Sequence, residues 1–153
     1  MTTDATPVGP ADDRPLNTVD ALVQLSFLIQ RVLSAAGAEH DLSVVQIRLL
    51  GVLRDRQAGM LELAGVLGLD KSSMTGLVSR AEKRGLIQRS PSPHDGRAVL
   101  VSLTPLGRQL VDRGVAEIGR RVTALTSQFT PAQHAEFTRL AAALLDAERG
   151  SHL

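Results

Sequence analysis

Two glycines, Gly68 and Gly85, bracket a stretch of chain whose punctuation leaves few folds open. Ahead of Gly68, Leu61, Leu63, Ala64 and Leu67 place apolar groups on one side of a short helix. A glycine, having no Cβ to clash, suits the left-handed residue that ends such a helix. Asp70 then stands at an N-cap position, where its carboxylate accepts from the amides of Ser72 or Ser73 and complements the positive helix end. A second helix therefore starts at Lys71 and is closed by Gly85. Within it Met74, Leu77, Val78 and Ala81 recur at i, i+3, i+4 and i+7, which makes one buried stripe. Ser72, Thr75, Gly76, Ser79, Arg80 and Lys83 project from the opposite side.

That outer face carries nothing large and apolar. Small hydroxyl residues let a backbone come close to base edges, and long basic ones reach guanine acceptors or phosphates, so the face suits a major groove. Beyond it, Ile87 to Ser90 and Ala98 to Leu103 are strand-like and flank the loop Pro91 to Arg97. Asp95 and Gly96 supply the wing turn and carry Arg97 to the tip, where a narrow minor groove would attract it. Thr104-Pro105 opens a further helix. Short helix, turn, polar-faced helix and basic hairpin, in that order, predict a winged helix-turn-helix with double-stranded DNA as its partner. The candidate DNA-binding residues are Lys71, Ser72, Ser73, Thr75, Gly76, Ser79, Arg80, Lys83 and Arg97.

Charge distribution agrees. The whole chain carries a formal +1, yet Lys71 to Arg108 holds seven basic residues (Lys71, Arg80, Lys83, Arg84, Arg89, Arg97, Arg108) against Glu82 and Asp95, a local +5 that leaves −4 for the remainder. A local basic footprint steers phosphates and makes affinity depend on salt.

Several runs carry a family resemblance: Leu63-Ala64-x-x-Leu67, Asp70-Lys71-Ser72-Ser73-Met74-Thr75, Glu82-Lys83-Arg84-Gly85-Leu86-Ile87-x-Arg89, Pro93-x-Asp95-Gly96-Arg97 and Leu103-Thr104-Pro105-x-Gly107. In this order and spacing the chain resembles the MarR family of bacterial transcriptional regulators over about residues 17 to 149. Ser92 stands where that family's wing usually has an acidic residue, and Gly96 where it often has a second basic one. The resemblance implies a mainly α fold with a small β-hairpin wing, flanked by N- and C-terminal dimerisation helices.

The flanks can be read in the same terms. Residues 1–16, rich in Thr, Asp, Pro and Gly, predict a flexible arm. Residues 17–149 read as one domain, with 17–39 and 105–149 as dimerisation helices and 43–104 as the winged lobe, and 150–153 form a tail. Asn17 caps a first helix whose Val19, Leu22, Val23, Leu25, Phe27, Leu28, Ile29, Val32 and Leu33 exceed a single stripe and so imply contact on two sides. Ser43-x-x-Gln46 is a capping box for a helix burying Val44, Ile47, Leu50 and Leu53, with Arg54 to Gly59 as its exit loop. Leu106, Leu110, Val115, Ile118, Val122 and Leu125 run along a long helix, and Thr130-Pro131-x-Gln133 opens a last one bearing Phe137, Leu140, Ala141, Leu144 and Leu145. Such surplus apolar surface predicts a homodimer about a two-fold axis, with recognition helices roughly 34 Å apart on a pseudo-palindromic site.

A regulator of this kind is expected to act as a repressor, released or retained by a small molecule that favours one separation of its lobes. The resemblance implies a cleft among the first, second and fifth helices. That region offers Gln24, Arg31, His40, Arg48 and Arg113, any arginine of which could pair with a small anionic or phenolic ligand or simply be solvated, so no ligand residue is singled out.

Other chemistries find little footing. With no cysteine there are no disulfides, thiolate ligands or thiol redox sensing, which sets aside the resembled family's peroxide-sensing branch. His40, His94, His134 and His152 share no HxxxH or HExxH spacing, and the helix from Pro105 lacks the histidines of the family's zinc sensors; zinc is disfavoured but stays open. No Gly-rich phosphate loop, nucleophile elbow or paired acid and base points to an enzyme. No run of some 18 apolar residues or leader is evident, so a cytoplasmic location without membrane contact is expected. The alternative function is a winged-helix protein-interaction or dimerisation module without DNA binding.

Overall fold

The computed structural model describes residues 15–151. Most of the expected N-terminal arm, and His152 in the expected tail, lie outside those residues. The chain order is α1 (Thr18–Ala38), α2 (Val44–Val52), β1 (Ala58–Gly59), α3 (Met60–Leu67), α4 (Lys71–Lys83), β2 (Ile87–Pro91), β3 (Val99–Leu103), α5 (Pro105–Leu125) and α6 (Pro131–Gly150).

Helix starts follow local chemistry. Asn17 accepts from the Asp20 amide at 2.9 Å. Ser43 with Gln46, and Thr130 with Gln133, form reciprocal capping boxes. Thr104 caps α5 ahead of Pro105 at N1.

The three strands form one antiparallel sheet in the order β1-β3-β2, with Ile87 opposite Leu103 and Pro91 opposite Val99. Two boundaries depart from the sequence expectation: Pro91 joins its strand and Ala98 does not. The exit loop expected through Gly59 ends instead in an edge strand, Ala58 pairing with Val101 and Gly59 with Leu100. Two residues have no periodicity of their own, so β1 exists only because β3 offers a ladder.

The core lies in the winged lobe, around Leu49, Leu53, Leu63, Met74, Leu77, Val78, Ile87 and Val101. Leu61, expected inside, is 89% exposed, because residues two apart on a helix lie about 200° apart and Leu63 has taken the inner side. In α2, Leu49 is fully buried whereas Val44 and Ile47 are half-buried. In α5 the buried residues are Gly107 and Val111, while Leu106 is exposed.

The outer helices bury little. Of α1 only Ala36 and Gly37 are buried, and of α6 no residue. No unbroken run of some 18 apolar residues occurs, as expected, yet α1 is long and apolar enough by length and composition to cross a membrane. α1 spans 21 residues and contains an 18-residue window of mean hydropathy 1.4, of which 11% is buried within the chain. Gln24, Gln30 and Arg31 interrupt the apolar run without lowering its mean very far.

Candidate nucleic-acid interface

Two left-handed glycines set the angle at which α4 is presented. Gly68 has φ 66° and Gly85 φ 71°. Past each, a backbone bond closes the turn: Leu69 N to Ala64 O at 2.9 Å, and Leu86 N to Ala81 O at 3.1 Å. At the start of α4, Asp70 accepts from the Ser73 amide at 2.7 Å and from its hydroxyl at 3.1 Å. Those bonds, the amide's first, hold the Asp70 carboxyl below its ordinary value.

Met74, Leu77, Val78 and Ala81 are buried, and the other side of α4 faces out as expected. Lys71, Ser72, Ser73, Thr75, Arg80 and Lys83 are exposed, with Gly76 and Ser79 half-buried. Three of the four hydroxyls on this face already have protein partners. Ser73 donates to Asp70, and Thr75 donates back to the Lys71 carbonyl at 2.8 Å. Ser79 accepts from Arg89 Nη2 at 2.9 Å. The missing side chain at Gly76 is occupied by a neighbour: Arg80 Nη1 lies 3.1 Å from where a Cβ would stand. The Arg80 guanidinium therefore rests over bare backbone in the middle of the exposed face.

The wing turn is built by Asp95, whose carboxylate accepts from the Arg97 amide at 3.0 Å and whose carbonyl accepts from Ala98 N at 3.0 Å. Gly96 is not among the residues with positive φ, so the turn owes nothing to left-handed backbone there. Arg97 is exposed beside it.

The basic footprint is narrower than the seven residues counted from sequence. Arg84 donates to the carbonyls of Asp41 and His40. Arg89 lies 3.5 Å from Glu82 as well as bonding to Ser79. Arg108 donates to the Arg54 carbonyl at 3.1 Å. Among the described residues, the side chains of Lys71, Arg80, Lys83 and Arg97 have no hydrogen-bonded or ion-paired partner. A count along the chain cannot distinguish a cation aimed at solvent from one folded onto a carbonyl.

Between the end of α1, α2 and α5 lies a cleft of about 120 Å³, lined by Ala36, Ile47, Leu50, Val111 and Ile118 among others. His40 is the single titratable residue on its wall. The remaining candidates are elsewhere: Gln24 and Arg31 on an outer groove of α1, Arg48 on the groove between α1, α2 and Phe137, and Arg113 on the polar surface beyond His40. The arginines thus do not converge on the cleft. Among the described residues, no three His, Asp or Glu side chains come together to hold a metal ion.

Residues 40–98 match the model of the MarR family. The HTH-type transcriptional regulator PecS of Dickeya dadantii is 30% identical over 110 residues, 69% of this chain and 66% of its own length. The multiple antibiotic resistance protein MarR of Salmonella typhimurium is 31% identical over 104 residues, 63% of this chain and 71% of its own. A mutant MarR from E. coli complexed with operator DNA superposes with a TM-score of 0.65 at 26% identity, covering 83% of this chain and 95% of that one.

Proposed function

Because this chain belongs to the MarR family of transcriptional regulators, we propose that it works as a homodimeric repressor, seating two α4 helices in successive major grooves of a pseudo-palindromic operator. The observation that carries this is the exposed face of α4, where Lys71, Arg80 and Lys83 have no partner among the described residues and stand beside small ones, with Arg97 on the wing. Structural likeness to a MarR protein on its operator supports the same placement. The absence of exposed Leu, Phe or Tyr from that face speaks against a protein-binding module in its stead.

The dimer reading is supported by α1 and α6. Leu22, Val23, Phe27, Phe137, Leu140, Leu144 and Leu145 are exposed on them, far more apolar surface than two solvated helices would carry. A second subunit covering this face would account for α1's hydropathy without a membrane, and the family's DNA partner supports a cytoplasmic location. The apolar cleft supports a small effector with a compact apolar or phenolic body and one polar group facing His40, in preference to an anion gripped by arginines.

The test is selection of bound sequences from random duplexes by the full-length chain, then titration of the selected site with Arg80→Ala. Loss of one guanine-reading side chain should cost about 1 to 3 kcal/mol with the helical spectrum unchanged. Equal affinity would refute the assignment of α4. Phenol and benzoate titrated against the complex test the effector.

A further inference from the structure

The corner between α1 and α2 joins three parts of the molecule. Asp41 there has φ 53°, left-handed backbone that few non-glycine residues adopt and that Asp tolerates better than most. The corner is tight: a Cβ on Gly37 would fall 2.4 Å from the Leu42 carbonyl oxygen and 2.7 Å from Ile47 Cδ1. The amides of His40 and Leu42 both donate to the Gly37 carbonyl at 2.9 Å. On its inner side this corner lines the cleft through Gly37, His40 and Leu42.

Two arginines from other elements reach it. Arg121 of α5 donates to the Glu39 carboxylate at 3.0 Å and is itself held by Glu117 at 2.6 Å, tying the end of α1 to α5. Arg84, the C-cap of α4, reaches more than forty residues back, Nη1 donating to the Asp41 carbonyl at 2.8 Å and Nη2 to the His40 carbonyl at 2.7 Å. The recognition helix therefore ends on a two-pronged grip of the corner that walls the cleft.

We propose that Arg84 is a positioning residue whose forked hold on the His40 and Asp41 carbonyls sets α4 against α1 and transmits the state of the cleft to the recognition helix. The planar guanidinium meets both carbonyls only while they keep their spacing, and a hydrogen bond lengthened beyond about 3.5 Å is effectively lost. Sub-ångström movement at the corner is enough to release a prong. An occupant of the cleft touches His40, one of the two residues whose carbonyls are gripped, and Leu42 next to the other, which is the differential contact that any coupling requires. The biological meaning rests on the effector reading above, but the coupling can be measured without knowing the effector.

The cleft can be filled covalently by Gly114→Leu, since Gly114 lines it and a Cβ there meets no atom within 4 Å. Operator affinity of the full-length chain is measured for Gly114→Leu, Arg84→Gln and the double variant, with folding checked by circular dichroism and dimerisation by light scattering. Gly114→Leu should change the dissociation constant about fivefold or more with Arg84 present, and by much less when Arg84 is glutamine. Arg84→Lys, a point charge that keeps one prong, should give an intermediate coupling and replaces Arg84→Gln if that variant fails to fold. An equal change in both backgrounds overturns the role of Arg84 while leaving the cleft as a regulatory site. No change in either overturns both.

Discussion

Gly107→Ala sets two effects of opposite sign against each other. Gly107 is buried in the first turn of α5, and a Cβ there would fall 1.9 Å from the Leu86 carbonyl oxygen and 2.9 Å from its carbon. Reaching even the 3.0 Å below which real Cβ atoms essentially never come means parting the two backbones by about 1.1 Å, the difference from 1.9 Å. The same contact is fastened by Thr104 N donating to Leu86 O at 3.1 Å and Thr104 Oγ1 donating to Gly85 O at 2.5 Å. Overpacking costs about 1 to 3 kcal/mol, and each neutral hydrogen bond lost about 0.5 to 1.5 kcal/mol. Against this, alanine is the better helix former by about 1 kcal/mol. The clash should win, leaving a net destabilisation of about 1 to 5 kcal/mol if both hydrogen bonds are lost, a large part of a typical domain's roughly 5 to 15 kcal/mol. Urea denaturation followed by circular dichroism, at one chain concentration because a dimer's stability depends on it, reads the change. Gly119→Ala is the control: it lies on the same helix with nothing within 4 Å of its Cβ, and should be neutral or stabilising. If Gly107→Ala behaves like that control, the close approach of α5 to the wing root is wrong.

Arg97→Ala should reduce the slope of log affinity against log salt by about 0.9 for each phosphate its wing contacts, and an unchanged slope removes the wing from the interface. Deleting residues 130–153 should yield monomer or aggregate in light scattering, because it removes the α6 half of the exposed apolar face proposed to meet a second subunit; a soluble dimer rules that interface out. The Asp70 carboxyl is held below its ordinary value of 3.8 by the Ser73 amide and hydroxyl, so the folded state favours its ionised form. Its contribution is present above pH 3.8 and lost as pH falls below it, so Asp70→Asn, which still caps without titrating, should flatten the fall of the urea midpoint in acid. An unaltered acid slope would assign the fall to other carboxylates.

Much of the winged lobe, and the start of the last helix, could be read along the chain because the signals are local. A cap acts within three residues and a left-handed glycine within one turn, so Asp70, Gly68, Gly85 and the Ser43 and Thr130 boxes stand where the residues placed them. The Met74–Ala81 stripe was equally legible, since one helix face repeats over whole turns. Leu61 was misread by grouping residues two apart, and β1 was invisible because its ladder partner lies more than forty residues on. Leu49 and Val111 were missed where α2 and α5 are covered from more than one direction, which blurs any single stripe.

The order of elements and the polar, cationic outer face of α4 follow from the residues alone, because backbone geometry and helical periodicity depend on near neighbours. Which cations remain for DNA is a tertiary matter: Arg84, Arg89 and Arg108 each end on a partner brought close by the fold, while Arg80 lies over Gly76. The cleft at the α1–α2 corner, and the grip of the recognition helix upon it, likewise come into being when helices distant along the chain close on one another. A flexible arginine side chain has no preferred target until folding supplies one.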